Sequence, residues 1–245
     1  MKNPKLRLDA LLVERGLFET RTRAQAAVLA GRVLVDGRPE TKAGAPVAED
    51  ARVEIAGDEN PFVSRGGLKL AAALDRFPVR VEGRICLDVG ASTGGFTDCL
   101  LSRGAARVYA VDVGTAQLHS RLRADPRVES REQLHARDMR PGMFAPRPDL
   151  AVVDVSFISL SKVLPHVVPC LAAPFDIVAL VKPQFELEPK LAPKGVVRSP
   201  EHRALALERV REALRSLPLR EMEAMECPVH GPKGNIESLL HLASV

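Results

Sequence analysis

Tryptophan is absent from this chain of 245 residues, tyrosine occurs once, and aromatic residues make up only 4% of it. Any core it builds is therefore aliphatic. Cysteine is scarce too. Cys86, Cys99, Cys170 and Cys227 lie far apart, with no Cys-x-x-Cys and no His/Cys ligand spacing. That argues against a disulfide scaffold and against a metal site, and leaves reduced, buried thiols. Long hydrophobic runs are missing as well. The longest stretch free of Asp, Glu, Lys and Arg is the 13 residues from Val163 to Phe175, broken by Pro165, Pro169 and Pro174, whereas a membrane span takes about 20 apolar residues. The opening MKNPKLRLDALL places charges where a signal peptide carries its apolar segment. A cytoplasmic protein with no membrane partner is expected. There is no internal repeat and no low-complexity segment.

What is present is ordinary for a globular protein: 46% hydrophobic and 27% charged residues. The length suits one domain plus a small appendage. Charge divides the chain. Met1 to Lys42 holds nine Lys or Arg against five Asp or Glu, and Ala43 to Glu59 holds one against five. A basic block followed by an acidic one suggests a small domain with one positive face. Within it, Leu8, Leu11, Leu12 and Leu17 recur near helical spacing before a stop at Gly16. TRTRAQAAVLAG predicts a second helix, capped by Thr20 or Thr22 and ended by Gly31. RVLVDGR alternates like a strand and turns at Asp36-Gly37, and ARVEIAG is a second short strand. The expected boundaries are residues 1–59 for this unit, a linker over 60–63, and a larger domain over 64–245.

From Arg84 onward strand and helix patterns alternate. RICLDVG, RVYAVDVG, PDLAVVDVS and DIVALVKP are apolar runs of buried-strand length. GGFTDCLLSRG reads as a helix ending at Gly104, and SPEHRALALERVREALRSL as a long helix with Ser199 as cap and Pro200 in its first turn. This alternation argues for an α/β domain with a parallel sheet covered on both faces. In LDVGASTGGFTDCLL, Asp88-Val89-Gly90 ends a strand, and Gly94-Gly95 opens a helix after a glycine-rich turn. Glycines there let a ligand approach the backbone beside free N–H groups. About 24 residues on, Asp112 ends the next strand, where an acid can accept both hydroxyls of a ribose. The spacing is not Gly-x-Gly-x-x-Gly, so an adenosine cofactor other than a dinucleotide is expected. Asp154 and Lys182 also end apolar strand patterns, which in an open α/β sheet face the ligand crevice. A lysine finishing a buried strand needs a partner or a task. Asp154 is a natural partner, and an ordinary buried ion pair is the plainer alternative.

Taken together, DVGASTGGFTDCLL, with VSRGGLKL before it and VDVSFISL, LVKPQFE and GPKGNIE after it, resembles the TlyA or hemolysin-A family of S-adenosylmethionine-dependent ribosomal RNA 2′-O-methyltransferases. The catalytic part is similar to the FtsJ/RrmJ-type fold, a Rossmann-like methyltransferase domain. The first block resembles the S-four-type RNA-binding domain, of α+β class. The resemblance spans nearly the whole chain. It implies a Lys-Asp-Lys-Glu catalytic set at Lys69, Asp154, Lys182 and Glu237. A ribose hydroxyl is a poor nucleophile, and an ammonium favours the developing alkoxide while carboxylates orient that ammonium. In this reading Lys182 lowers the hydroxyl's pKa, Asp154 and Glu237 position it, and Lys69 holds ribose or phosphate. Glu237 as a solvated strand residue and Lys69 as a surface lysine are the plainer alternatives.

The resemblance further implies S-adenosylmethionine at Asp88, Gly90, Ser92, Gly94, Phe96 and Asp112, with Asp138 near the adenine amino group, and no metal. Ribosomal RNA or its subunits would meet Arg7, Arg21, Arg23, Lys42 and Arg65. Phe157 and Phe185 either stack on a base or belong to the core. At the linker Asn60-Pro61-Phe62-Val63 the chain departs from relatives that carry a basic residue and a tryptophan, which puts the coupling of the two domains in doubt. A cytidine in 23S rRNA is the expected target, with 16S rRNA second, because the chain is compact at both ends. A monomer is expected. The alternatives are an RNA-binding protein with an inactive methyltransferase domain, a small-molecule methyltransferase that leaves the first block unexplained, and a hemolysin-like lytic protein.

Overall fold

The computed structural model describes residues 5–18, 20–29, 31–55, 60–231 and 233–245. The chain forms two compact units, Met1–Glu59 and Asn60–Val245. The first contains β1 (Lys5–Arg7), α1 (Leu8–Glu14), α2 (Arg21–Leu29), β2 (Val33–Val35), β3 (Arg38–Glu40), β4 (Pro46–Ala48) and β5 (Val53–Ile55). The first helix appears where leucine spacing placed it, and the second where TRTRAQAAVLAG did, with Thr20 Oγ1 accepting from Arg23 N at 3.3 Å. Gly16 and Gly31 follow them with φ of +70° and +69°, the left-handed backbone that ends a helix cheaply only at glycine. Leu17 lies beyond that stop and is exposed rather than part of the apolar face. Asp36 and Gly37, at φ +52° and +77°, turn β2 into β3, as a two-residue hairpin requires. β5 pairs with the other side of β2, and β1 pairs antiparallel with β4. The end of the expected last strand, Ala56 and Gly57, lies outside the described residues. Leu8, Leu11, Leu12, Ala24, Val28 and Val33 are buried as this unit's own small core.

The second unit runs α3 (Gly66–Arg76), β6 (Ile85–Val89), α4 (Gly95–Ser102), β7 (Arg107–Val111), α5 (Ser120–Arg123), β8 (Val128–Arg131), β9 (Leu150–Val153), α6 (Leu164–Val167), β10 (Asp176–Val181), α7 (Pro183–Glu186), α8 (Pro200–Leu214), β11 (Leu219–Glu226) and β12 (Ser238–Ser244). One seven-stranded sheet results, in the order β11-β12-β10-β9-β6-β7-β8. It is parallel from β10 to β8, but β12 runs antiparallel to both β10 and β11. The expected parallel sheet is corrected at this edge. β12 reaches β10 after the short return from β11, so no crossover helix separates the last two strands, and such a hairpin-like return is antiparallel by necessity. Successive residues of the central strands alternate between two aliphatic layers: Ile177, Ala179 and Val181 join one, and Val178 and Leu180 the other. Among the described residues no helix is long and apolar enough to cross a membrane.

This order places the functional crevice. The chain leaves β6 toward β7 and β8, then returns to β9 on the other side of β6, so a crevice opens at the carboxyl ends of β6 and β9. The two strands stay paired to their ends, with Asp154 N donating to Val89 O at 3.0 Å. Immediately beyond, Gly90 has φ +87°, and a β-carbon on it would lie 2.3 Å from the Asp154 carbonyl oxygen. Gly90→Ala is therefore expected to destabilise the chain by roughly 2–5 kcal/mol, from left-handed strain plus a backbone clash. A melting temperature equal to the native one would show that the two strand ends can separate freely.

Candidate functional site

Two adjoining cavities occupy the crevice. The larger, about 740 Å³, includes Asp112, Val113, Leu134, Ala136, Phe157 and Phe185 in its lining. The smaller, about 270 Å³, includes Gly66, Lys69, Phe96, Lys182 and His230. Gly90, Ser92 and Asp154 line both, so Asp154 stands where they meet.

Asp112 follows β7 with both oxygens held by backbone. Ser92 N donates to Oδ2 at 2.8 Å and Gly114 N to Oδ1 at 2.7 Å. That fixes the carboxylate while leaving lone pairs for two hydroxyls of a ribose. Ser92 reaches it from a left-handed conformation, φ +48°. Val113, Leu134 and Ala136 supply apolar surface for a flat ring. A fixed carboxylate acceptor beside apolar walls is what an adenosine calls for.

Three expected cofactor residues sit elsewhere. Gly94 has φ +98°, and its missing β-carbon would meet Leu122 at 2.3 Å and Leu118 at 2.7 Å, so this glycine serves close packing of the chain rather than approach by a ligand. Asp138 is exposed on a short 3₁₀ turn, Ala136–Asp138, and the cavity wall at that level is made by His135, Ala136 and Arg137. Asp88 is wholly buried behind the Gly90 turn. Thr97 Oγ1 donates to its Oδ2 at 2.6 Å, while Oδ1 has no partner. Phe96, almost fully buried, does line the smaller cavity.

The four expected catalytic residues form two ion pairs. Lys182, following β10, has Nζ 2.5 Å from Asp154 Oδ1. Its well-directed hydrogen bond goes to Ser156 Oγ at 2.9 Å, a residue the sequence reading missed because nothing marks one serine among several. Asp154 Oδ1 meets that ammonium as an ionic contact, without a hydrogen bond of good angle. Lys69, on the first turns of α3, has Nζ 2.5 Å from Glu237 Oε2. Glu237 thus orients Lys69 and not Lys182, a correction to the expected roles. The pairs differ in access. Side-chain exposure is 8% for Lys69 and 0% for Glu237, against 12% for Lys182 and 20% for Asp154. Among the described residues, no group of His, Cys, Asp and Glu is arranged to hold a metal ion.

Phe157 is 90% exposed at φ +64°, with its ring 5.1 Å from that of Phe185. The core alternative is thereby excluded for Phe157. The loop carrying it is anchored by Glu186, which accepts from Ser159 Oγ at 2.5 Å and from Leu160 N at 2.9 Å. Arg65 immediately precedes α3, without a side-chain capping bond, and lines the smaller cavity. Phe62 packs where a β-carbon on Gly67 would lie, and Val63 N donates to Asp98 at 2.8 Å, so residues 62 and 63 of the expected linker pack onto the second unit. In the first unit, Arg23 and Lys42 are exposed, and Arg7 and Arg21 both bind Asp9.

Residues 62–244 match the family model of the FtsJ-like methyltransferases, and residues 6–53 match that of the S4 domain. The chain is 45% identical over 240 residues to the 16S/23S rRNA (cytidine-2′-O)-methyltransferase TlyA of Mycobacterium tuberculosis, covering 97% of this chain and 90% of that protein. It is 41% identical to hemolysin A of Brachyspira hyodysenteriae, over 96% and 99% of the two chains. Among solved structures, a candidate hemolysin from Streptococcus thermophilus superposes with a TM-score of 0.79 at 42% identity, over 100% of this chain and 90% of that one.

Burial pushes the Asp88 carboxyl up to about 7 from an ordinary 3.8, against the opposing bond from Thr97. A raised acid is protonated in the folded chain while the unfolded chain has lost its proton. The stability it contributes is complete below about pH 4 and is lost as pH rises through about 7. Asp88→Asn fixes the neutral form and keeps an acceptor for Thr97. Its melting temperature is expected to gain on the native protein between about pH 5 and pH 8. Parallel curves over that range would mean that Asp88 is ionised throughout.

Proposed function

The chain belongs to the FtsJ-like methyltransferase family and carries an S4 domain at its N-terminus, and from that premise we propose that it methylates the 2′-hydroxyl of a cytidine ribose in ribosomal RNA, using S-adenosylmethionine. The observation that carries this reading is the meeting of two cavities at Asp154, one suited to an adenosine and one walled by Lys69 and Lys182. When bound, S-adenosylmethionine supplies a methyl group already activated on a sulfonium, so the protein's task is alignment and charge. Ser92 and Asp112 hold the sugar of the cofactor's adenosine, and Val113, Leu134 and Ala136 face its ring. Asp154 and Ser156 aim the Lys182 ammonium at the site where the ribose oxygen gains negative charge. Lys69, steadied by Glu237, holds the substrate ribose or its phosphate from the other wall. The exposed Phe157 ring, backed by Phe185, offers a face to an unstacked base at the mouth of the larger cavity.

Arg7, Arg21, Arg23 and Lys42 of the first unit, with Arg65 of the second, dock the RNA through its phosphates. Such a substrate places the work in the cytoplasm. Large-subunit rRNA is the first substrate to test and small-subunit rRNA the second. Purified protein, S-adenosylmethionine and unmethylated 23S and 16S rRNA are combined, and 2′-O-methyl sites are mapped. New cytidine methylation supports the proposal. Tight RNA binding with no methyl incorporation would instead identify an RNA-binding protein with an inert second unit.

Two substitutions separate the roles. Asp112→Ala is expected to weaken cofactor binding by at least about tenfold, because a fixed charged acceptor for two hydroxyls is lost; calorimetry showing native affinity would remove Asp112 from the sugar site. Lys182→Ala is expected to lower single-turnover methylation by about a hundredfold or more, since its charge acts mainly in the transition state. Cofactor and RNA affinity should persist. If Lys182 were only half of a structural ion pair, melting temperature and all activities would fall together instead.

A further inference from the structure

The first unit contains a polar cluster that no role above uses. Asp9, in the first turn of α1, has no exposed surface. Three side chains from two elements close around it. Arg7, just before α1, donates from Nε to Oδ1 at 3.1 Å and from Nη2 to Oδ2 at 3.0 Å. Arg21, the first residue of α2, donates from Nη2 to both oxygens at 3.1 Å. Gln25, one turn further along α2, donates to Oδ2 at 2.7 Å. The cover is shallow, since these side chains rather than a deep core enclose the carboxylate. The hydrogen bond from Arg7 leads the forces that hold its carboxyl well below the usual carboxylate range.

The two arginines remain 57% and 55% exposed. Among the described residues, no further hydrogen bond uses Arg7 Nη1, Arg21 Nε or Arg21 Nη1. Two guanidinium groups would otherwise repel one another and wander. One buried carboxylate between them removes much of that repulsion, fixes the plane of Arg7 through a two-nitrogen fork, tethers Arg21 through Nη2, and leaves one net positive charge on two groups that stay more than half exposed. That is the arrangement a phosphate diester meets best, because guanidinium recognition depends on planar, fixed donors rather than on charge alone.

We infer that Asp9 is a positioning residue for RNA: it holds Arg7 and Arg21 together as one two-pronged receptor for a backbone phosphate. The inference rests on the reading that the first unit docks ribosomal RNA. It makes a prediction opposite to that of plain electrostatics. Asp9→Asn deletes a negative charge beside two RNA-facing arginines, and long-range attraction alone would then tighten binding. Loss of the held geometry weakens it.

The test uses the full chain and unmethylated 23S and 16S rRNA, with affinity measured over a salt series. Melting temperature and cofactor affinity, read on the same preparations, establish that each variant is folded. Asp9→Asn is expected to bind RNA about tenfold more weakly than the native protein. Arg7→Ala/Arg21→Ala should bind at least as weakly, and adding Asp9→Asn to it should change affinity by less than about twofold, because the aspartate acts only through the two arginines. Arg7→Lys/Arg21→Lys keeps both charges but cannot form the fork, and should resemble the alanine pair; this arm stands if Asp9→Asn does not fold. Native or tighter RNA binding by folded Asp9→Asn, or native binding by the lysine pair, would overturn the positioning role while leaving RNA docking intact. A further loss on adding Asp9→Asn to the alanine pair would assign Asp9 to the fold instead. Native binding by the alanine pair would overturn both the inference and the docking role of these arginines.

Discussion

Gly90 and the carbonyl of Asp154 lie too close for any side chain to come between them, and that approach makes one site out of two. β6 brings the glycine turn and, through Ser92, the orientation of Asp112. β9 brings Asp154 and, through it, Lys182 on the neighbouring β10. If the strand ends stood apart, an adenosine cavity and a lysine cavity would both still exist, but no residue would line the two. Methyl transfer in line demands alignment within fractions of an ångström. In the proposed reaction that alignment would rest on the paired ends of β6 and β9.

Around that junction the same charge pairing is used in two ways. Lys69 and Glu237 are nearly sealed, so their contact costs desolvation on both sides and is held by the fold around it. Lys182 and Asp154 are partly open, and Lys182 shares its bonds with Ser156 rather than sinking wholly onto the acid. An ammonium bound too well by its own carboxylate would have little left for a developing oxyanion. The looser angle at Asp154 leaves Lys182 steered but not quenched. Access, more than charge, distinguishes the two pairs.

Much of this was legible in the sequence. β6, β7, β9 and β10 are apolar runs ended by Asp88, Asp112, Asp154 and Lys182, and in a switched α/β order such ends converge on one crevice. The resemblance added Lys69 and Glu237, which no local pattern marks. What stayed hidden depended on contacts distant in the chain. Glu237 pairs with Lys69 across 168 positions, so the partner of each lysine could not be read from spacing. Gly94 looked like a place for a ligand because its neighbours Leu118 and Leu122 arrive from another segment. Asp88 looked accessible because a strand end does not reveal what covers it. β1 and β4 are three residues each, too short for alternation to register, and β12 gave no sign of its direction.

Asp9 shows the same limit in the first unit. An acid inside a basic block reads as a blemish in a positive face, and only the approach of Arg7 and, from α2, of Arg21 and Gln25 reveals that the arginines are organised around Asp9. The two units then handle charge on opposite principles. In the first, guanidinium groups lie more than half exposed over one covered carboxylate, where a polyanion can meet them directly and release its own counterions. In the second, two ammonium groups are mostly covered, where ions screen less and short distances set the interaction. Attraction of a long RNA calls for the first arrangement, and stabilisation of charge on a single oxygen calls for the second. Neither kind of site could do the other's work without giving up either its openness or its dryness, which is a physical reason for the chain to keep them on different compact units.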